Sequence, residues 1–191
     1  NIDIAAETCL HAPWKNINNL IPYIDLFLVD FKVVGDDDLH LELTGQTSTL
    51  IQNNLQKLLE AKASIKFRMV MVPGYNDTES NIKATAELLK SIHYDSIELM
   101  KYHNIYEDKA KRLGLNHLED LHITPEQSIE AVERGKKLFQ KYGITARNID
   151  LDAEKPQTVF SNRVKKIQQD IRKLDRGLCI EASKLKTKYY R

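Results

Sequence analysis

The chain has 191 residues and a mass of 22.0 kDa, enough for one domain with a substantial core. Its 42% apolar and 29% charged residues exclude a disordered or fibrous chain, and no apolar run approaches the roughly 20 residues needed to cross a bilayer. The net charge of +1 hides an asymmetry: residues 155–191 hold eleven Lys/Arg against three Asp/Glu, a local +8, which leaves −7 on the rest. Two cysteines, Cys9 and Cys179, make no disulfide framework and fall short of the three thiols a four-iron cluster needs, a usage that fits a reducing cytoplasm. The chain opens at Asn1 with no initiator Met and no signal segment, so it is expected to begin in mid-protein.

From the amino end, residues 1–7 (NIDIAAE) read as a short strand ending in polar residues. The run Ile24–Phe31 is almost continuously apolar, as expected of a parallel strand buried on both faces. Leu50, Ile51, Leu55, Leu58 and Leu59 then repeat at helical spacing behind Ser48 and Thr49 as a cap. Ser64–Val72 is the third strand and stops at the Pro73-Gly74 turn. After Asn76-Asp77 a second helical stripe, Ile82, Ala86, Leu88 and Leu89, leads to a fourth strand at Ser96–Tyr102. Thr124, Pro125 and Gln127 form a capping box for a helix whose stripe is Ile129, Val132 and Leu138 and whose stop is Gly143. Ile144–Ile149 is a candidate fifth strand. Strands alternating with helices make parallel βαβ units, hence an α/β sheet or barrel.

In such folds ligands sit at the carboxyl ends of the strands. The first strand ends in Glu7-Thr8, and the second in Asp30-Phe31-Lys32, which puts a carboxylate and an ammonium on one face. The third holds Lys66 and Arg68 within an apolar run, and the fourth ends in Lys101-Tyr102-His103. Charges in buried strands must be paired or must meet a ligand. Two readings therefore stand: an internal ion pair such as Asp30 with Arg68, or a pocket for a zwitterionic, hydroxylated ligand.

Several blocks in order carry a family resemblance. Asp25-Leu26-Phe27-Leu28-Val29-Asp30-Phe31-Lys32 resembles an aspartate–x–lysine strand. His40 with Thr44-Gly45, and then Ile51 and Asn54, follow it. Arg68…Val72-Pro73-Gly74-Tyr75-Asn76-Asp77 resembles a strand and turn of the form R-x-P-x-x-P-G-x-N-D. Ile97 to His103, with Lys109 and Leu113-Gly114, resembles E-L-L-P-Y-H…K…L-G, and Glu7-Thr8 with Ala12-Pro13-Trp14 resembles an earlier loop. Together they resemble the radical S-adenosylmethionine enzymes that activate glycyl-radical enzymes, such as the pyruvate formate-lyase activating enzyme, over about residues 1–150.

The resemblance implies a partial α/β barrel of which this chain holds about four of six strands, with a basic tail over 151–191 outside it. It implies S-adenosylmethionine and a [4Fe–4S] cluster as cofactors of the parent protein. The cluster's C-x-x-x-C-x-x-C loop is absent from these residues, so the chain alone is expected to be inactive. By the same carry-over Glu7 and Thr8 meet the amino-acid part of the cofactor, Asp30 and Lys32 reach its ribose and carboxylate, Arg68 lines the barrel, and His103 contacts it from the last strand. A monovalent cation among Glu7, Thr8, Asp30 and the Leu28 carbonyl is also implied. The partner would be a glycyl-radical enzyme and the electron donor a flavodoxin or ferredoxin, in an anaerobic cytoplasm. Lys101 stands where the family has a proline, and Leu10 stands for a common glycine. Tyr106 and Ala110 are further departures, close to where a partner's glycyl loop would dock.

In the tail Val159, Val164, Ile167, Ile171 and Leu174 recur at helical spacing among basic residues, a pattern of a basic amphipathic helix. It lacks interleaved stacking aromatics, so a nucleic-acid partner is not expected. Two other functions fit the same sequence: a radical enzyme acting on a small molecule, and a cluster-free binding module.

Overall fold

The computed structural model describes residues 2–103 and 121–149, all within one compact unit, Asn1–Asp150. The basic helix expected after residue 151, and the Lys109 and Leu113-Gly114 block, lie outside the described residues.

Five strands, β1 (Ala5–Thr8), β2 (Leu26–Phe31), β3 (Ile65–Met71), β4 (Ser96–Lys101) and β5 (Thr145–Asn148), pair in parallel in the order β1-β2-β3-β4-β5. The helices between them are α1 (Trp14–Leu20), α2 (Asp37–Thr44), α3 (Thr49–Glu60), α4 (Glu79–Ser91) and α5 (Pro125–Lys141). Each crossover steps one strand the same way, and right-handed crossovers then put every helix on one side. A doubly wound sheet would reverse its order, whereas this one curls as a partial barrel. The candidate fifth strand at Ile144–Ile149 is thus a strand of the sheet, at Thr145–Asn148.

On the helix-covered face Phe27, Val29, Phe67, Met69, Ile97 and Leu99 are buried. Leu58, Ile82, Leu89, Val132 and Phe139 of the helices meet them there. Phe67 stacks on Phe31 at 5.0 Å and takes the edge of Tyr94 at 4.8 Å. Helix α5 packs close against the sheet at Gly135, where a Cβ would sit 2.8 Å from Met71 Cε. Its buried side is Ser128, Ala131, Val132, Gly135 and Phe139, so Ile129 of the predicted stripe is exposed.

The second face differs from expectation. In β2 buried residues alternate with half-buried ones, so Leu28 and Asp30 look out onto an open face. The apolar run suggests burial on both sides, but five strands leave the concave side only partly enclosed.

Capping fixes the loops at the carboxyl rim. Asp36 caps α2 by accepting from Leu39 N, and Thr78 caps α4 by accepting from Asn81 N. Ser48 flanks α3 but spends its hydroxyl on Asp37. Thr124 and Gln127 complete the predicted capping box of α5. Among the described residues no helix is long and apolar enough to cross a membrane.

Candidate functional site

The open face carries the charges. Parallel register sets Asp30 against Arg68, Arg68 against Glu98, and Glu98 against Arg147, so four adjacent strands hold a row of alternating sign. Glu7 is in register with Leu28 on the same face, one step toward the amino end of the row.

Arg68 is the centre of this row. Its Nε donates to Asp30 Oδ1 and its NH1 to Glu7 Oε1, each at 2.8 Å. The Arg68 side chain is only 8% exposed, against 21% for Asp30 and 68% for Glu7. Burial works against the guanidinium charge, but the hydrogen bonds to Glu7 and Asp30 outweigh it and raise its pKa. The Arg68 hydrogen bond, and then its charge, lower the pKa of Glu7. The ion pair of Asp30 with Arg68 exists, and it binds a second carboxylate as well. The guanidinium also bridges two of the groups, Glu7 and Asp30, that the resemblance puts around a monovalent cation.

The other site residues are placed as follows. Lys32 lies just past the end of β2, half-buried, and its carbonyl accepts from Asn76 Nδ2 at 3.0 Å. Asn76 also donates to Val70 O and accepts from Val72 N, so the turn after β3 pins the residue that follows β2. Thr8 pairs in register with Val29, on the opposite face from Glu7, and its Oγ1 accepts from Leu10 N at 2.9 Å. His103 is exposed, two residues beyond the end of β4. Lys101, read at the same rim, is in register with Met71 and so falls on the helix-covered face. A two-residue alternation counted from Arg68 through Glu98 shows why: β4 offers Glu98 and Met100 to the open face.

Sequence reading missed Glu98, which takes Lys66 at 3.3 Å, and Arg147 beside it. The resemblance named Asn54 without a role; its amide donates to the carbonyls of Leu10 and Ala12 and holds the loop after β1. Leu10 needs that hold, because it is fully buried at φ 62° where the family often has glycine. Among the described residues no three His, Cys, Asp or Glu side chains converge as a metal-ligand set.

No family model matches the chain. It is 34% identical over 145 residues to the choline trimethylamine-lyase activating enzyme of Oleidesulfovibrio alaskensis, covering 74% of this chain and 46% of that protein. It is 32% identical over 136 residues to the trans-4-hydroxy-L-proline dehydratase activating enzyme of Clostridioides difficile, covering 70% of this chain and 45% of that protein. The chain belongs with the glycyl-radical-enzyme activating enzymes. It spans a little under half the length of the curated relatives it matches. A crystal structure of a domain of the pyruvate-formate lyase-activating enzyme from Bacteroides vulgatus shares the fold. The TM-score is 0.54 at 24% identity, over 77% of this chain and 81% of that one. The family is radical S-adenosylmethionine enzymes, and the strand order above is the partial barrel on which they are built.

Proposed function

We propose that these residues supply the carboxyl-rim half of the S-adenosylmethionine pocket in a protein that installs a glycyl radical on a partner enzyme. The observation that supports it is the meeting of Glu7, Asp30 and buried Arg68 on one face, with Lys32 at the rim. When bound, S-adenosylmethionine supplies the 5′-deoxyadenosyl group that takes a hydrogen atom from the partner's glycine.

The cofactor presents a carboxylate, an ammonium and ribose hydroxyls, and the residues fit this set. Arg68 already serves two carboxylates, so it positions them, and the ammonium of Lys32 is the cation for the cofactor carboxylate. Asp30 keeps one oxygen beyond Arg68 for a ribose hydroxyl. Glu7, two-thirds exposed, meets the cofactor's amino group, while Thr8, on the opposite face, holds the loop behind it through Leu10 N. His103 closes the pocket from the β4 side.

The [4Fe–4S] cluster does not fit these residues, because two cysteines cannot make its three-thiolate loop. We place its ligands elsewhere in the protein and expect these 191 residues alone to be inactive. A flavodoxin or ferredoxin would supply the electron. The relatives' own partners differ, so the partner is proposed only as a glycyl-radical enzyme.

The coding DNA upstream of Asn1 tests this, over about 100 codons, or two to three βαβ units of ~30 residues or more. An in-frame C-x-x-x-C-x-x-C is expected. A start codon with no such triad would overturn the enzyme reading and leave a cluster-free binding module.

A further inference from the structure

The ladder of β2 with β3 ends at Phe31, in register with Met69, and the chain then runs without strand or helix to the cap of α2. Backbone groups in such a segment need partners from elsewhere. Two buried asparagines supply them. Asn76, 3% exposed, donates through Nδ2 to the Lys32 carbonyl at 3.0 Å, and Asn81, equally buried, accepts at Oδ1 from the Val34 amide at 2.8 Å. The two are joined, since Asn81 Nδ2 donates to the Asn76 carbonyl at 2.7 Å. The planar peptides on either side of buried Val33 are thereby both fixed.

Helix α4 anchors Asn81 in turn. Its backbone N–H donates to Thr78 Oγ1, and its carbonyl accepts from Thr85 Oγ1 at 2.8 Å. Gly35 closes on the same helix, where a Cβ would sit 2.8 Å from Ala84 Cβ. The turn that carries Asn76 is held from its other side by Asp77, which accepts from Gly74 N and from Arg134 of α5. Among the described residues no carboxylate pairs with the Lys32 ammonium, so its backbone sets where the side chain starts.

We infer that Asn81, acting with Asn76, is a positioning residue for the cofactor: it sets the backbone of Lys32 so that the ammonium stands ready for the cofactor carboxylate. The inference rests on the reading of Lys32 as the cation for that carboxylate. A group held in its binding geometry beforehand loses less freedom when the ligand arrives, so releasing the clamp weakens binding without removing a contact.

The test is a double-variant cycle in the full-length gene product, prepared anaerobically, with S-adenosylmethionine affinity read by calorimetry. Asn81→Ala is expected to weaken binding about fivefold, the worth of one neutral hydrogen bond. In a Lys32→Met background the same change should weaken it less than about twofold, because the group it positions is gone. A purely structural role gives the same loss in both backgrounds, and that result would overturn the inference, as would unchanged affinity in folded Asn81→Ala. Unchanged affinity in Lys32→Met alone would overturn the pocket reading, and the positioning role with it. Asn76→Ala repeats the cycle should Asn81→Ala not fold. Hydrogen exchange needs no variant: the Val34 amide should exchange about a hundredfold or more slower than an open loop amide, and exchange at the loop rate would overturn the clamp.

Discussion

Replacing Arg68 with Met keeps the volume and apolar stem of the side chain and removes its charge. Two carboxylates then lose their shared donor. Glu7 is 68% exposed and rehydrates, so its share is that of a surface pair, about 0.2–1 kcal/mol. Asp30 is 21% exposed and loses a charge-assisted bond worth about 1.5–3 kcal/mol. Their sum, about 2–4 kcal/mol, falls short of the ~3–5 kcal/mol for breaking a fully buried pair, as the exposure of Glu7 requires. Urea unfolding of the chain followed by circular dichroism measures it. Arg68→Met should cost most, Asp30→Asn less, and Glu7→Gln least. The double variant Arg68→Met/Asp30→Asn should cost about 1–3 kcal/mol less than the two single costs added. Additivity within about 0.5 kcal/mol would refute the shared-guanidinium geometry, and so would a Glu7→Gln cost equal to that of Asp30→Asn.

Three further outcomes follow from the same coordinates. The Glu7 pKa is held below its ordinary 4.5, so the stability it contributes is complete above that value and lost as pH falls through the lowered one. The gap between the native chain and Glu7→Gln should therefore be flat near neutrality and close on acidification, and a gap that widens in acid would contradict the pairing. Gly35→Ala combines φ +78° with a Cβ 2.8 Å from Ala84 Cβ, while Gly45→Ala meets open space at φ +73°. Thermal unfolding should show Gly45→Ala costing about 1 kcal/mol and Gly35→Ala clearly more; equal costs would dismiss the close approach of that loop to α4. Thr124→Ala removes the cap of α5 and should cost about 1 kcal/mol by urea unfolding, with no loss expected if the box were idle.

Much of the fold was legible because it rests on local signals. The runs at Ile24–Phe31 and Ser64–Val72 could hardly be anything but strands, and Thr124-Pro125 with Gln127 announces its helix. Helix α2 carries almost no amphipathic stripe and went unread despite its Asp36 cap, because its buried residue is a histidine. At the site, Asp30 and Arg68 were found together because each is a charge inside an apolar run. Glu98 was missed because only inter-strand register shows that it shares their row, and register is not written in any one strand. The same blindness counted Lys101 at the rim with the other charges, although register with Met71 turns it to the helix-covered face. Asn54 and Asn76 work by bonding distant carbonyls, which no local pattern reports. The resemblance did reach both residues, Asn54 at the start of its helix and Asn76 within its turn block, but it could not say that their side chains pin the loop after β1 and Lys32.

The central claim is that the carboxyl rim of β2 binds the cofactor and the opposite end of the same face does not. Lys32 and Lys66 make the contrast, since Lys66 sits at the amino-terminal end of β3 and is paired with Glu98. The decisive measurement is S-adenosylmethionine affinity by calorimetry in the full-length gene product, prepared anaerobically, for Lys32→Met and Lys66→Met. The account predicts that Lys32→Met weakens binding about tenfold or more, the loss of one charge-assisted contact, and that Lys66→Met leaves it unchanged. Equal losses, or a loss at Lys66 alone, would contradict it.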